Sequence, residues 1–306
     1  MADVFDCAII GGGPAGMTAA IYLGRFRRRV ALIDNGESRA ALIPRTHNHP
    51  GYPDGIRGRD LLDRMRLQVA KLGVFTISGE AADIRCSRDG RFRVSAGRII
   101  MADHVILATG VKDRLPPVDD PLRHIREALI RQCPVCDAYE LIGKPVAVIG
   151  AGDSAAGEAL FLSHYTPDIT LLTLGDVLQV SARVIGKLKK AGVQIVTEKI
   201  SGWDFGQTGV DVHLGTGRRR FTAVYSGLGN EPQNALAREL GVSLLEDARI
   251  VTDEYQETSR KNIFAIGDVV TGLNQIAVAM AQGEIAASRI HTMLRLREGR
   301  CVLDSL

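Results

Sequence analysis

The sequence predicts an α/β fold made of two Rossmann-like domains, each a three-layer ββα arrangement. Three observations predict it. A short apolar strand, a glycine turn and a helical pattern follow one another twice. The first passage runs from Phe5-Asp6-Cys7-Ala8-Ile9-Ile10 into Gly11-Gly12-Gly13-Pro14-Ala15-Gly16, the second from Pro145-Val146-Ala147-Val148-Ile149 into Gly150-Ala151-Gly152-Asp153-Ser154-Ala155. The 306 residues suffice for two domains, at about 150 residues each. Apolar residues make up 45% and charged residues 24%, enough to fill globular cores.

The first helix is expected from Pro14 to Arg25, ending in the basic cluster Arg25, Arg27, Arg28 and Arg29, which complements the helix dipole from a solvated end. Val30-Ala31-Leu32-Ile33-Asp34 reads as the second strand. Residues 35–58 read as loop, because Pro44, Pro50, Gly51, Pro53, Gly55 and Gly58 break any period. A helical pattern covers Arg59 to Leu72, and β-like runs lead to His104-Val105-Ile106-Leu107-Ala108-Thr109-Gly110. Pro116-Pro117 suits a linker. The second βαβ unit begins near Lys144, short strands occupy 200–225, and Gly215-Thr216-Gly217 is a hairpin signal among them. A last strand, Ile263-Phe264-Ala265-Ile266, meets Gly267-Asp268, and a long helix runs from about Gln275 to Leu296.

Lys and Arg total 38 against 35 Asp and Glu, so the net charge of +3 gives no basis for a nucleic-acid or anionic-membrane partner. Aromatic residues, at 5%, are too sparse for base-stacking surfaces. No apolar run reaches the roughly 18 residues of a membrane span. No basic region precedes an apolar stretch at the N-terminus, so a cytoplasmic protein is expected. In that compartment paired cysteines serve catalysis or metal binding more often than structure.

Each glycine of the first turn has a distinct use. Gly11 permits the turn out of the strand, Gly13 lets the backbone approach a pyrophosphate, and Gly16 lets the helix pack close to the sheet. The helix N-terminus, from Pro14 and Ala15 on, then offers its N–H groups to the phosphates. Asp34, at the end of the next strand, is placed to accept hydrogen bonds from both hydroxyls of an adenosine ribose. The second turn repeats the cradle with Gly150, Gly152, Asp153, Ser154 and Ala155, but the position matching Asp34 is Thr173. Thr173 is not an acid for an NAD ribose, and no arginine beside it serves an NADP 2′-phosphate.

Cys133-Pro134-Val135-Cys136 is a C-x-x-C followed by Asp137. Two thiols at this spacing can close a disulfide ring and exchange two electrons with a partner disulfide. Zinc would need a second C-x-x-C or a histidine pair at ligand spacing, and His47 and His49 lie far away in a proline-rich loop, so no metal is expected. Asp137 reads either as the acid–base group that serves the thiols or as a carboxylate in the first turn of a helix. Cys7 reads as a core residue, Cys86 lies in a β-like run, and Cys301 reads as an idle surface thiol.

The order of these motifs resembles the low-molecular-weight thioredoxin reductases. The likeness is carried by Gly11 to Gly16, Ala108-Thr109-Gly110, the dithiol just before Gly150 to Ala155, and Phe264-Ala265-Ile266-Gly267-Asp268. Asn48-His49-Pro50-Gly51 is similar to that family's Asn-Trp-Pro-Gly flavin loop, and Gln275 to the Gln after its Gly-Asp motif. The resemblance implies FAD in a discontinuous first domain, residues 1–117 and 246–306, with residues 118–245 forming the second dinucleotide domain that carries the dithiol. It adds Asn48, Thr109, Gly110, Gly267, Asp268, Gln275 and Ile276 to the FAD residues. It also implies that Asp268 binds the ribityl or pyrophosphate linker, that Cys136 is the flavin-side thiol, that Cys133 faces the substrate, and that Asp137 is the acid. A homodimer and a disulfide substrate, either a thioredoxin-like protein or a small molecule, come with it.

Three departures stand out. The family's His-Arg-Arg, which reads the NADP 2′-phosphate, is Thr173-Leu174-Gly175 here; its Arg-Gln-Ala is Asn274-Gln275-Ile276; and its Gly-Gly-Gln is Gly36-Glu37-Ser38. A charge-assisted contact is worth about 1.5–3 kcal/mol, so losing two leaves the electron donor open. The second site is read as taking NAD(P)H or a second FAD. The functional reading is an FAD-dependent disulfide oxidoreductase acting through Cys133 and Cys136. The alternatives are an NADPH-independent branch (ferredoxin-linked, with a second FAD, or an oxygen-dependent dithiol oxidase) and a flavin redox sensor without turnover.

Overall fold

A computed structural model describes residues 3–215 and 217–300. In chain order the elements begin with β1 (Asp3–Ile10), α1 (Pro14–Arg25), β2 (Val30–Asp34), α2 (Gly58–Lys71), β3 (Phe75–Ser78), β4 (Asp83–Cys86), β5 (Phe92–Ser95), β6 (Ile99–Leu107) and β7 (Val111–Asp113). Next come α3 (Pro121–Arg126), β8 (Ile130–Arg131), α4 (Pro134–Asp137), β9 (Val146–Ile149), α5 (Asp153–Leu162), β10 (Ile169–Leu172), α6 (Ala182–Lys190) and β11 (Gln194–Val196). The chain continues through β12 (Ile200–Phe205), β13 (Val210–Leu214), β14 (Gly217–Phe221), β15 (Ala223–Ser226), β16 (Asn230–Pro232), α7 (Ala235–Glu239), β17 (Ile263–Ala265) and α8 (Ile276–Arg297).

The chain forms two units. The first comprises the chain up to Ala41, Gly58–Lys112 and the chain from Pro232 on; the second comprises Leu42–Arg57 and Asp113–Glu231. These divisions differ from the boundaries that the sequence suggests. Residues 232–245 join the first unit, because Ala237, Leu240 and Val242 are buried in the same core as Phe5, Ala8 and Ile10 of β1. Pro116-Pro117 lies inside the second unit, since the chain changes unit at Lys112. The loop 42–57 belongs to the second unit, where Thr46 and Ile56 bridge each other and the Asn48 side-chain amide approaches the Val135 carbonyl at 3.5 Å.

In the first unit the strands run β3-β2-β1-β6-β5-β4, with β17 also paired to β6. β3, β2, β1, β6 and β17 are parallel, while β5 and β4 turn back antiparallel. Strands such as Val30-Ala31-Leu32-Ile33 are apolar without alternation because both faces of a parallel sheet are covered. α8 lies against α1, where Gly283 meets the Ala15 carbonyl. Cys7 is fully buried in β1, Cys86 is exposed on β4, and Cys301 lies outside the described residues.

In the second unit the parallel sheet runs β11-β10-β9-β15-β8. Its two faces separate by period 2. Val146, Val148 and Tyr225 point to a core shared with α5 and α6, through Ala155, Ala159 and Leu188. Ala147, Ile149 and Val224 point to the other core, closed by Val210, Val212, Leu214 and Phe221 of the antiparallel sheet β12-β13-β14. This is the expected layering of helices, parallel sheet and small antiparallel sheet. β13 and β14 pair from Val210↔Phe221 to Leu214↔Gly217, the hairpin position read from the glycines, with Thr216 outside the described residues.

Gly283 offers a test of the first unit's packing. Alanine normally stabilises a helix interior by about 0.8–1.0 kcal/mol over glycine. A Cβ on Gly283, however, would stand 2.5 Å from the Ala15 carbonyl oxygen and 3.1 Å from the Ala19 nitrogen, and overpacking costs about 1–3 kcal/mol. Backbone atoms cannot rotate away, so the clash wins. Gly283→Ala is expected to lower stability by roughly 1–2 kcal/mol, read as a reduced urea midpoint; an unchanged or raised midpoint counts against this packing.

Candidate active site

Cys133 and Cys136 form a disulfide with their Cα atoms 5.3 Å apart. Proline at the first position of α4 suits a helix start, since its missing N–H has no intrahelical partner there. The Cys136 N–H donates to the Cys133 carbonyl at 3.0 Å, which closes the turn under the sulfurs. Asp137 follows, half-buried. The Tyr225 hydroxyl donates to Asp137 Oδ1 at 2.7 Å, and Arg131 pairs with Oδ2 at 3.0 Å while also donating to the Asp137 carbonyl at 3.1 Å. Burial lifts the Asp137 carboxyl above its usual range; Arg131 and the Tyr225 hydroxyl pull it back part of the way. Burial and the neighbouring Asp137 charge likewise push the Tyr225 phenol far up, so it stays a donor. Neither Arg131 nor Tyr225 is recognisable as a site residue in the sequence. Tyr225 lies on β15, and only the pairing of β15 with β8 brings both beside Asp137.

The first glycine turn is built against the sheet. Gly11 has φ +112° and donates its N–H to the Ile33 carbonyl at 2.8 Å. A Cβ on Gly11 would overlap the Ala108 carbonyl, and one on Gly16 would overlap the Gly11 carbonyl. A Cβ on Gly12 would overlap the Asp34 carboxylate, so Asp34 lies directly against the turn. Gly13 faces open space except for Ser38 Oγ at 3.3 Å. Thr109 and Gln233 clasp each other, with the Thr109 hydroxyl donating to the Gln233 carbonyl at 2.6 Å and the Gln233 amide donating to the Thr109 carbonyl at 2.7 Å. Gly110, at φ +68°, accepts from the Gln233 N–H. The Gly267 N–H donates to Gln282 Oε1 at 2.7 Å, Asp268 pairs with Arg39 at 3.5 Å, and Arg249 donates to the Asp268 carbonyl. Gln275 caps α8 and Ile276 is its first residue. Asn48 belongs to the second unit.

The second turn repeats the construction. Gly150 has φ +138°, and its Cβ would stand 2.8 Å from that of Ala155 and 3.0 Å from the Gly227 carbonyl. Gly152 is open, while Asp153 and Ser154 begin α5 exposed to solvent. The Gln179 N–H donates to the Ala151 carbonyl at 2.6 Å, tying the loop after β10 to the turn. Thr173 follows β10 with its side chain turned inward. It is 1% exposed and its hydroxyl donates to the Asp176 carbonyl at 2.6 Å, so that hydroxyl is spent inside the loop. Among the described residues no His/Cys/Asp/Glu group suits a metal ion, and no helix is long and apolar enough to cross a membrane.

Residues 5–283 match the family described as pyridine nucleotide-disulphide oxidoreductase. The chain belongs to this family. Within it the chain is a divergent member of the low-molecular-weight thioredoxin reductase type. It is 31% identical to the 34.2 kDa protein in the rubredoxin operon of Clostridium pasteurianum, over 92% of this chain and 94% of that one. It is 30% identical to the thioredoxin reductase of Peptoclostridium litorale, over 94% and 96%. Among solved structures it is similar to the thioredoxin reductase of Streptococcus pyogenes, with a TM-score of 0.89, 28% identity, and coverage of 97% of this chain and 100% of that one.

Membership of the family makes the chain a flavin disulfide oxidoreductase and implies FAD. The first turn fits that group. α1 starts with no side-chain cap and no acidic residue in its first turn, so its positive end is uncompensated where a pyrophosphate would lie. The open Gly13 and the adjacent Asp34 would supply the approach and the ribose acceptor. Arg39, Gln233 and Gln282, which support Asp268, Thr109 and Gly267, carried no signal in the sequence.

Tyr225→Phe tests the dithiol environment. It removes a charge-assisted hydrogen bond worth about 1.5–3 kcal/mol, one that favours the Asp137 carboxylate. The Asp137 carboxyl is then expected to rise further, and the alkaline limb of the pH profile of thiol–disulfide exchange, where a required acid loses its proton, to move to higher pH. A profile that does not move would remove Tyr225 from the site.

Proposed function

We propose that this chain passes two electrons between FAD held by the first unit and the Cys133–Cys136 pair, and onward to a disulfide substrate. The observation that carries the reading is the formed disulfide on α4 with Asp137, Arg131 and Tyr225 beside it. When bound, FAD supplies a two-electron carrier for opening that disulfide. Gly11, Gly13, Pro14, Ala15 and Gly16 would cradle its pyrophosphate and Asp34 its ribose, with Thr109, Gly110, Gly267, Asp268, Gln275 and Ile276 lining the remainder and Asn48 contributed from the loop 42–57.

In the substrate half of the reaction the Cys133 thiolate attacks one sulfur of the substrate disulfide. A mixed disulfide forms and the other substrate sulfur leaves as a thiolate, which takes a proton. The Cys136 thiolate then attacks Cys133 and releases the second substrate sulfur, restoring the Cys133–Cys136 bond. Asp137 serves as the acid for a departing sulfur. Its elevated carboxyl suits that task near neutral pH better than an ordinary surface aspartate would. The substrate is a thioredoxin-like protein or a small molecule. The working form is a cytoplasmic homodimer.

A specific observation favours a donor other than NADPH. Thr173, Leu174 and Gly175 carry no cation, and the Thr173 hydroxyl is engaged by Asp176. Gly150, Gly152, Asp153, Ser154 and Ala155 still form a phosphate cradle, which would take NADH or a second FAD. Reduced ferredoxin as donor and dithiol oxidation by oxygen are the other forms of this second reading.

Anaerobic titration separates these donors. NADPH, NADH, reduced ferredoxin and dithiothreitol are added in turn while the flavin band is followed. Dithiothreitol is expected to bleach it, and NADPH to do so poorly or not at all. Cys133→Ser and Cys136→Ser are each expected to abolish disulfide-reductase turnover. Full turnover in either variant sinks the dithiol reading, and rapid bleaching by NADPH sinks the donor reading.

A further inference from the structure

Arg39 has no part in the scheme above, yet it joins two segments that would hold the cofactor. The chain leaves β2 at Asp34, and the Gly36 N–H donates back to Asp34 Oδ1 at 3.0 Å. Gly36 turns there with φ +80°, a conformation that suits glycine. Ser38 then comes up to the glycine turn, its Oγ 3.3 Å from where a Cβ on Gly13 would stand. Arg39 follows at the head of a single helical turn, Arg39–Leu42, and its Nη1 pairs with Asp268 Oδ2 at 3.5 Å. Residues 36–39 thus carry the chain from the first glycine turn to Asp268, all within the first unit.

Asp268 is fixed from behind. Arg249 donates to its carbonyl, and the same Nη1 reaches the Val270 carbonyl at 3.3 Å and Asn274 Oδ1 at 3.2 Å. The neighbouring Gly267 N–H is held by Gln282. The backbone on both sides of the carboxylate is tied down, so Asp268 offers Arg39 a fixed partner.

Charge decides what this arrangement suits. A dinucleotide is negative on both phosphates of its pyrophosphate, and Asp34 and Asp268 would add two carboxylates around it. The start of α1 supplies only the partial charge of a helix end, about half an elementary charge. Like charges gathered away from bulk water repel one another unless a cation lies among them. A guanidinium presents five N–H donors in a planar fork and can serve a carboxylate and a phosphate together. Arg39 and Asp268 are both half-buried, so salt screens their charges less than those of a surface pair.

Resting on the reading that the first unit holds FAD, we propose that Arg39 is a cofactor-binding residue whose guanidinium binds the FAD pyrophosphate while paired with Asp268. Its charge offsets that of Asp268 and lets a carboxylate stand beside the phosphates.

The test measures FAD release from the full-length holoprotein, with free FAD separated by ultrafiltration, in the parent, Arg39→Met and Arg39→Lys. Arg39→Met removes the charge and keeps most of the side chain's length. It is expected to raise the FAD dissociation constant on the order of ten- to a hundredfold, and Arg39→Lys to recover part of the loss. Added salt should weaken FAD binding more steeply in the parent than in Arg39→Met. An arginine that only props Asp268 loses its effect once Asp268 is neutral. In an Asp268→Asn background Arg39→Met is therefore still expected to weaken FAD binding, by about tenfold.

Equal dissociation constants in parent and Arg39→Met, or no further loss from Arg39→Met in the Asp268→Asn background, would overturn the proposal. If Asp268→Asn retains no FAD, the salt comparison decides, and a parent no more salt-sensitive than Arg39→Met counts against it. If Arg39→Met fails to fold, Arg39→Gln takes its place. Failure of both makes Arg39 a structural residue and overturns the proposal as well. A parent protein that binds no FAD would instead overturn the cofactor reading on which the proposal rests.

Discussion

Both units depend on one steric constraint: a parallel strand must hand its chain to a helix within a few residues while keeping the helix start open. In the first unit Gly11 and Gly16 meet backbone to backbone, against the Ala108 carbonyl at the end of β6. In the second, Gly150, Ala155 and Gly227 make the same meeting, and a Cβ on Gly227 would stand 2.6 Å from the Ala155 Cα. The sheet order follows from it. Each turn has beside it the strand that follows in the sheet, β6 next to β1 and β15 next to β9, and the small residues at that strand's end leave room for the turn. Binding capacity is a by-product of the same geometry, because an open helix start next to a bare backbone suits a phosphate.

The two turns differ in what surrounds them. Asp34 rests on the Gly12 backbone and α1 brings no negative charge to its first turn. The equivalent strand end in the second unit turns its polar side chain inward, and α5 begins with Asp153. Leu174 there adopts φ +62°, a conformation costly for a branched side chain, and the loop it starts is anchored to the Ala151 carbonyl through Gln179. The Thr173 hydroxyl thus donates within its own loop, whereas the Asp34 carboxylate rests against its glycine turn.

Around the dithiol, Asp137 is held by the Tyr225 hydroxyl and the Arg131 guanidinium, which come from neighbouring strands. Burial holds the carboxyls of Asp137 and Glu158 above their ordinary range, and at Asp137 Arg131 and the Tyr225 hydroxyl pull part of the way back.

The sequence by itself determined the two Rossmann-like units, the glycine turns, Asp34 and the Cys133–Cys136 pair. Each of these is a local pattern of strand, turn and helix, or a spacing of residues inside one turn, where neighbours in the chain are neighbours in space. Only the tertiary structure decided which unit owns Leu42–Arg57 and residues 232–245, since apolar patterning marks a buried residue without naming its core. It also decided that Thr173 faces inward, and that Arg131 and Tyr225 gather at Asp137. Those side chains come from β8 and β15, and the pairing of distant strands, which no local period encodes, is what places them together.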